Sequence, residues 1–338
     1  MENSYAESEW DEAATAEESS VVQTEGNRRV CRPAKLCNLP DKGKATYHLP
    51  GLFEFYELYR RFLPLFREKR EWFYPWCEVG SLYGAPADCL WGGGRAGFGE
   101  ADARKALALA QEYGVSARLT FSNSLLRQEH LSDRNCNALC ALFEQAGGVS
   151  NGVIVHSELL AAYLQSRYPG LYLVSSTTKV LTEFDALAAE LARPEFRYVV
   201  PDFRLNHDPR LFGLPQPLKD KVELLCNECC WVGCTDRRRC YEAVSRKNLG
   251  EDGPELVCRA PGAGAGYRFS QAMQSPAYIG PEQVREVYLP GGFTQFKLEG
   301  RGLGSALVLE FLLHYLTKPE YQLHVREEIY LDNMLDLF

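Results

Sequence analysis

Between residues 72 and 316, short apolar runs of strand length alternate with longer stretches whose apolar residues recur at helical spacing. The strand runs are 77–83, 87–91, 117–123, 152–156, 171–175, 197–202, 222–226 and 296–299. Helical patterns occupy 100–113, 132–145, 157–167, 181–191 and 303–316. Apolar strands separated by helices read as βα units on a parallel sheet, because parallel strands need a crossover between them. Eight such runs suit a closed (β/α)8 barrel of parallel strands; a doubly wound open sheet is the alternative. The segment 242–287 breaks the pattern and is read as an irregular insertion before the last strand, with PGAGAG at 261–266 as a loop.

Ahead of the alternation, Leu52, Phe53, Phe55, Tyr56, Tyr59, Phe62 and Leu63 fall at helical spacing, and Pro64 is expected to kink or split that helix. The aromatic stripe is read as core or barrel cover. It makes an N-terminal helical extension of one barrel domain over 30–338. Residues 1–29 hold eight acidic and two basic residues and few apolar ones, so a disordered acidic tail is expected there. That tail carries six of the eight net negative charges, and the remainder is nearly neutral. No extended nucleic-acid surface is evident from such a balance. No run of about eighteen apolar residues appears, so no membrane span is expected. The N-terminus has no basic-then-apolar signal pattern, so a cytoplasmic chain is expected. Twelve cysteines in such a chain argue for reduced thiols, metal or redox chemistry rather than a disulfide scaffold.

In a parallel barrel, chemistry gathers at the C-terminal ends of the strands. Those ends carry Arg95, Asn123, His156, Ser175 with Ser176, Asp202 with Arg204, Asn227 with Glu228, and Glu299 with Arg301. Ser157 and Asn123 are candidates to cap the helices that follow. Capping alone does not call for Arg204, Glu228, Lys297 or Arg301. Residues 92–97, GGGRAG, formally match G-x-G-x-x-G, but the region 116–120 offers no carboxylate for a ribose. A loop at the barrel mouth is the better reading, with Arg95 placed to meet an anion. Neither a G-x-S-x-G elbow nor an H-E-x-x-H pair occurs.

Five of the cysteines, Cys226, Cys229, Cys230, Cys234 and Cys240, fall within fifteen residues. Cys226 and Cys229 have C-x-x-C spacing but do not open a helix in a short redox domain. A radical-type triad fails because Gly233 stands where its third cysteine is required. Cys230, Cys234, Cys240 and Cys258 could supply four thiolates, either to zinc or to an iron–sulfur cluster. Buried free thiols are the remaining alternative.

With these residues in view, the chain resembles the peptidase U32 (collagenase-like protease) family. The stretch 225–234, LCNECCWVGC, followed by Arg238, Cys240 and Tyr241, is similar to that family's N-E-G-C…C…R…H-[YF] segment. Cys229 replaces its glycine, and Cys240 stands where a histidine is common. SPAYIGPE at 275–282, leading into FKLEGR at 296–301, is similar to its S-P-x-x-I-x-P-E and F-K-I-E-G-R blocks, and 151–177 to its strand pair. The likeness covers 72–317. It implies a TIM-like barrel, and in several members a [4Fe–4S] cluster on four cysteines. Members act in hydroxylation of ubiquinone precursors or of RNA bases.

The expectation is therefore an enzyme acting on a small aromatic or base-like substrate by hydroxylation or a related redox modification. Cys230, Cys234, Cys240 and Cys258 would hold [4Fe–4S], with zinc as the alternative. His156, Asp202, Glu228 and Glu299 would move protons. Arg95, Asn123, Arg204, Lys297 and Arg301 would bind the substrate, the cations by charge-assisted bonds. Two other readings remain open: a U32-type peptidase or other hydrolase using Asp202 with Glu299 or a zinc-activated water, and a non-catalytic, metal-stapled subunit of a protein partner.

Overall fold

The computed structural model describes residues 43–86, 89–93, 101–253 and 256–334. The acidic tail at 1–29, Cys31, Cys37 and Arg95 lie outside them. Eight strands pair in parallel: β1 (Ala45–Pro50), β2 (Cys77–Gly84), β3 (Ser116–Phe121), β4 (Gly152–Val155), β5 (Tyr172–Ser175), β6 (Phe196–Val199), β7 (Glu223–Leu225) and β8 (Gln295–Lys297). Pairing runs in sequence order from β1 to β6, and β8 lies between β1 and β7. A parallel bridge from Val199 to Val222 joins β6 to the start of β7 and closes the ring. The chain is a TIM-like (β/α)8 barrel, and the open-sheet alternative falls away.

Helix α1 (Tyr56–Glu68) follows β1. Then α2 (Ala103–Glu112), α3 (Arg134–Glu144), α4 (Glu158–Arg167) and α5 (Phe184–Ala192) follow β2 to β5 in turn. Two short helices, α6 (Pro209–Phe212) and α7 (Gln216–Lys219), follow β6. Helix α8 (Arg237–Asn248) follows β7, and α9 (Phe269–Ala272) and α10 (Pro281–Gln283) lie in the insertion. Helix α11 (Ser305–Leu316) follows β8, and α12 (Gln322–Met334) ends the described chain. Side-chain oxygens start several of them: Asp102 accepts from Arg104 and Lys105 N–H, Asp133 from Cys136 N–H, and Ser157 from Leu160 N–H. No helix among the described residues is long and apolar enough to cross a membrane.

Two strand assignments from sequence need correction. The first strand is β1, whose ATYHLP carries His48 and ends in Pro50, so it shows no unbroken apolar run. The run at 87–91 is not a strand: its described part, 89–91, is irregular chain and turn. Its apolar residues signal burial rather than pairing, since Trp91 is fully buried and donates its indole N–H to the His130 carbonyl. Accordingly α1 is the first barrel helix, following β1 rather than extending the barrel, and it runs through Pro64 unbroken. The insertion also begins later, because α8 takes up its first residues.

Strand periodicity divides the interior. Ala117, Leu119 and Phe121 of β3 join a large apolar layer with Leu107, Phe143 and Leu164 of the helices. Arg118 and Thr120, on the opposite face of β3, point into the ring. There Tyr83, Ile154, Val174, Val200 and Leu225 form a small second cluster.

Candidate active site at the barrel mouth

A cavity of 340 Å³ opens at the C-terminal ends of the strands. Its floor is Tyr83, Ile154, Val200 and Leu225, from four strands or their immediate ends. Polar groups stand around it: Thr120 and Ser122 after Arg118, Ser176 to Thr178 after β5, Glu228 and Cys229 after β7, and Lys297, Glu299 and Arg301 at the end of β8. Tyr241 of α8 adds an aromatic wall. The size and the mixture of apolar floor and few polar groups are those of a small-molecule site.

Two loops are laced together above β7 and β8. Asn227 Oδ1 accepts from Glu299 N–H at 2.8 Å, and Cys229 N–H donates to Glu299 Oε1 at 2.9 Å. Glu228 accepts from Cys230 N–H at 3.0 Å through Oε1 and from Arg237 Nη2 at 2.6 Å through Oε2. Arg301 reaches Glu54, in the turn after β1, at 2.7 Å. Lys297 lies 3.6 Å from the Tyr83 ring centre and 3.1 Å from Glu223. Burial, aided by Arg118, lowers the Lys297 ammonium to about 8 against the opposing pull of Glu223.

Below Lys297 sits a sealed ionic layer. Arg118 Nη1 pairs with Glu223 at 2.6 Å, and Arg118 Nε donates to the Tyr172 hydroxyl at 2.8 Å. His48 bonds Ser81 at 2.8 Å and Gln295 at 3.0 Å. Burial and then Arg118 lower His48 to about 3. Burial would raise the Glu223 carboxyl, but Arg118, His48 and Lys297 together hold it well below the usual carboxylate range.

The expected site residues separate into three groups. Glu228, Glu299, Lys297 and Arg301 line the cavity. Asp202 and Arg204 do not: Asp202 is fully buried, caps a turn and takes two bonds from Arg204, while Arg204 also donates to the Cys234 carbonyl at 3.0 Å. Asn123 is likewise buried in backbone bonding, to the Leu90 and Ser245 carbonyls and from Leu125 N–H. His156 faces a neighbouring rim cleft with Lys179 and Arg238, and bonds Thr178 at 2.9 Å. Burial, Lys179 and Arg238 lower it to about 4. Arg95 lies outside the described residues.

Among the cysteines, Cys226 is sealed in the core, and its burial pushes the thiol up. Cys230, Cys234 and Cys240 are half-buried, and Cys258 is exposed. Cys230 acts electrostatically on Arg237 and Cys234 on Arg204. Among the described residues, a compact set of metal-type donors is Glu228, Cys229 and Glu299, whose ligand atoms lie within 4.8 Å of one another. Sequence reading gave no site role to Cys229, Glu54, Arg237, Thr120 and Ser122. The signal for the last two was present: Arg118, Thr120 and Ser122 recur every second residue on one strand face.

No family model matches the chain, and no curated protein matches it in sequence. Among solved structures it is similar to one titled "The Structure of the U32 Peptidase Mk0906", with a TM-score of 0.47 and 15% identity over 76% of this chain and 93% of that one. The barrel assignment rests on this chain's own strand pairing.

Proposed function

We propose that the chain is a U32-like barrel enzyme that carries out hydroxylation or a related redox modification of a small aromatic or base-like substrate held in the mouth cavity. The observation that carries this reading is the cavity itself: an apolar and aromatic pocket of 340 Å³ at the reactive end of the barrel, with Lys297, Glu228 and Glu299 in its wall. Its volume suits one or two fused rings, as an order-of-magnitude comparison with known ligand pockets. Lys297 holds or releases a proton at the substrate, Arg301 offers a charged contact, and Tyr83 and Tyr241 add aromatic lining.

In this reading Cys230 and Cys234 on the loop that begins at the cavity wall, Cys240 in α8 and Cys258 beyond α8 hold a [4Fe–4S] cluster. The donor chemistry fits: four thiols, two of them beside guanidiniums. Zinc on the same four thiols is the alternative. A bound cluster would supply one-electron chemistry. Iron and acid-labile sulfide, counted after oxygen-free purification, test the assignment. About four of each per chain are expected, lost in Cys230→Ser and Cys234→Ser; a colourless protein without either would sink it.

The hydrolase reading changes its residues. Asp202 is locked between Arg204 and Arg237 outside the cavity, so the carboxylates available to substrate are Glu228 and Glu299. Peptide hydrolysis abolished by Glu299→Gln would favour that reading over hydroxylation.

A further inference from the structure

The cavity wall contains a donor set separate from the cysteine run that follows it. Glu228 and Cys229 come from the end of β7 and Glu299 from the end of β8, and one ligand atom of each lies within 4.8 Å of the other two. Nearby, Lys297 pairs with Glu223 and Arg301 with Glu54. Arg237 is fully buried and grips Glu228 by Oε2 at 2.6 Å. A carboxylate held in this way from behind keeps lone pairs on both oxygens and a fixed direction, as metal-binding carboxylates do. Cys229 N–H holds the Glu299 carboxylate through Oε1, and the Asn227 side chain holds the Glu299 backbone N–H.

A second observation points to a ligand in the same cavity. The hydroxyls of Thr120 and Ser122 are buried, line the cavity and have no hydrogen-bond partner. Their strand, β3, lies four places from β7 around the ring, so they stand on the opposite wall. Buried hydroxyls without partners are rare in folded proteins and mark a missing ligand or water.

We propose that Glu228, Cys229 and Glu299 form a binding site for one divalent transition-metal ion of the zinc type. A thiolate beside two carboxylates suits zinc or cobalt(II); magnesium and calcium take oxygen donors alone. Three protein donors are the number found where zinc keeps a position open for water or substrate. That position faces the cavity, and Thr120 and Ser122 supply hydrogen bonds to what occupies it. The inference rests on the mouth being the working site, but it does not depend on the thiols at Cys230, Cys234, Cys240 and Cys258.

Cobalt(II) titration of the purified full chain is the test, with metal counted per chain and zinc used to displace it. One cobalt per chain is expected, with thiolate-to-cobalt absorption in the near ultraviolet. Band and binding disappear in Cys229→Ser, and affinity falls at least tenfold in Glu299→Gln. Both persist in a Cys230→Ser, Cys234→Ser double variant. Binding that survives Cys229→Ser and Glu299→Gln but is lost in the double variant would overturn the proposal, as would a folded wild-type chain that binds no cobalt. Circular dichroism of each variant separates loss of the site from loss of the fold, and the near-isosteric Glu299→Gln decides if Cys229→Ser unfolds. Cobalt bound through Cys229 in a protein without iron would sink the cluster and leave this site standing; iron present with no cobalt site would do the reverse.

Discussion

Along β3, the side chains facing the barrel axis are Arg118, Thr120 and, just past the strand, Ser122. Arg118 has a partner at each nitrogen: Nε at the Tyr172 hydroxyl, Nη1 at Glu223 and Nη2 at His48, and Tyr198 lies beneath its guanidinium at 4.9 Å. Thr120 and Ser122, equally buried, have no partner for their hydroxyls. The same contrast runs around the ring. In the lower layer Glu223 gathers Arg118, Lys297 and His48 into a closed network. In the upper layer Glu228 is tied to Arg237 and Glu299 to Cys229 N–H, while the partnerless hydroxyls of Thr120 and Ser122 line the open cavity. Buried polarity that is fully paired holds a barrel together, whereas buried polarity left unpaired beside a cavity awaits a ligand.

The largest expected effect lies in the lower layer. Arg118→Leu leaves Glu223 short of its main partner in a dry interior, and breaking such a pair lowers stability by roughly 3–5 kcal/mol. Urea unfolding of the variant measures this. A loss below about 1 kcal/mol would mean that the network is no more than a surface-like ion pair, and the contrast between the layers would fail.

A smaller effect appears with acid. His48 stays neutral in the folded chain down to about pH 3, whereas the unfolded chain takes up that proton near 6.5. Its stabilisation is therefore complete above pH 6.5 and drains away as pH falls towards 3, by about 1.4 kcal/mol per pH unit at most. Glu223, also held low when folded, adds a loss of the same sign once the pH drops below the ordinary carboxylate range. His156 and His314, both lowered by burial, act in the same direction as His48. Replacing His48 with Gln should flatten the stability profile between pH 6.5 and 4.5, where carboxylates scarcely titrate. An unchanged slope would show that His48 does not contribute.

These two layers also mark what could be read from the chain. The βα alternation was legible because the outward faces of the strands and the inward faces of the helices are apolar and periodic. The first strand was not, because β1 carries His48 for the ionic layer and so lacks a plain apolar signature. Trp91 misled in the opposite sense, as a loop residue buried as deeply as any strand. At the mouth, Glu228, Glu299, Lys297 and Arg301 were legible as polar groups just beyond apolar runs. Asp202 and Arg204 carry the same local signature, yet they pair with each other, and no spacing rule distinguishes a partner from a substrate. The cysteine run drew attention to thiols as a class, while Cys229 differs from its neighbours only by facing the cavity.

The smallest effect on stability is the most direct test that the upper layer is built for a ligand. Thr120→Val with Ser122→Ala removes two buried hydroxyls that have no partner in the folded chain. Urea unfolding of this double variant is expected to give a stability within about 1 kcal/mol of the parent, or above it, because an unsatisfied buried hydroxyl is itself unfavourable. A loss of roughly 3 kcal/mol or more, as large as that from breaking the Arg118 pair, would show that these hydroxyls hold the barrel together and would contradict a ligand site at its mouth.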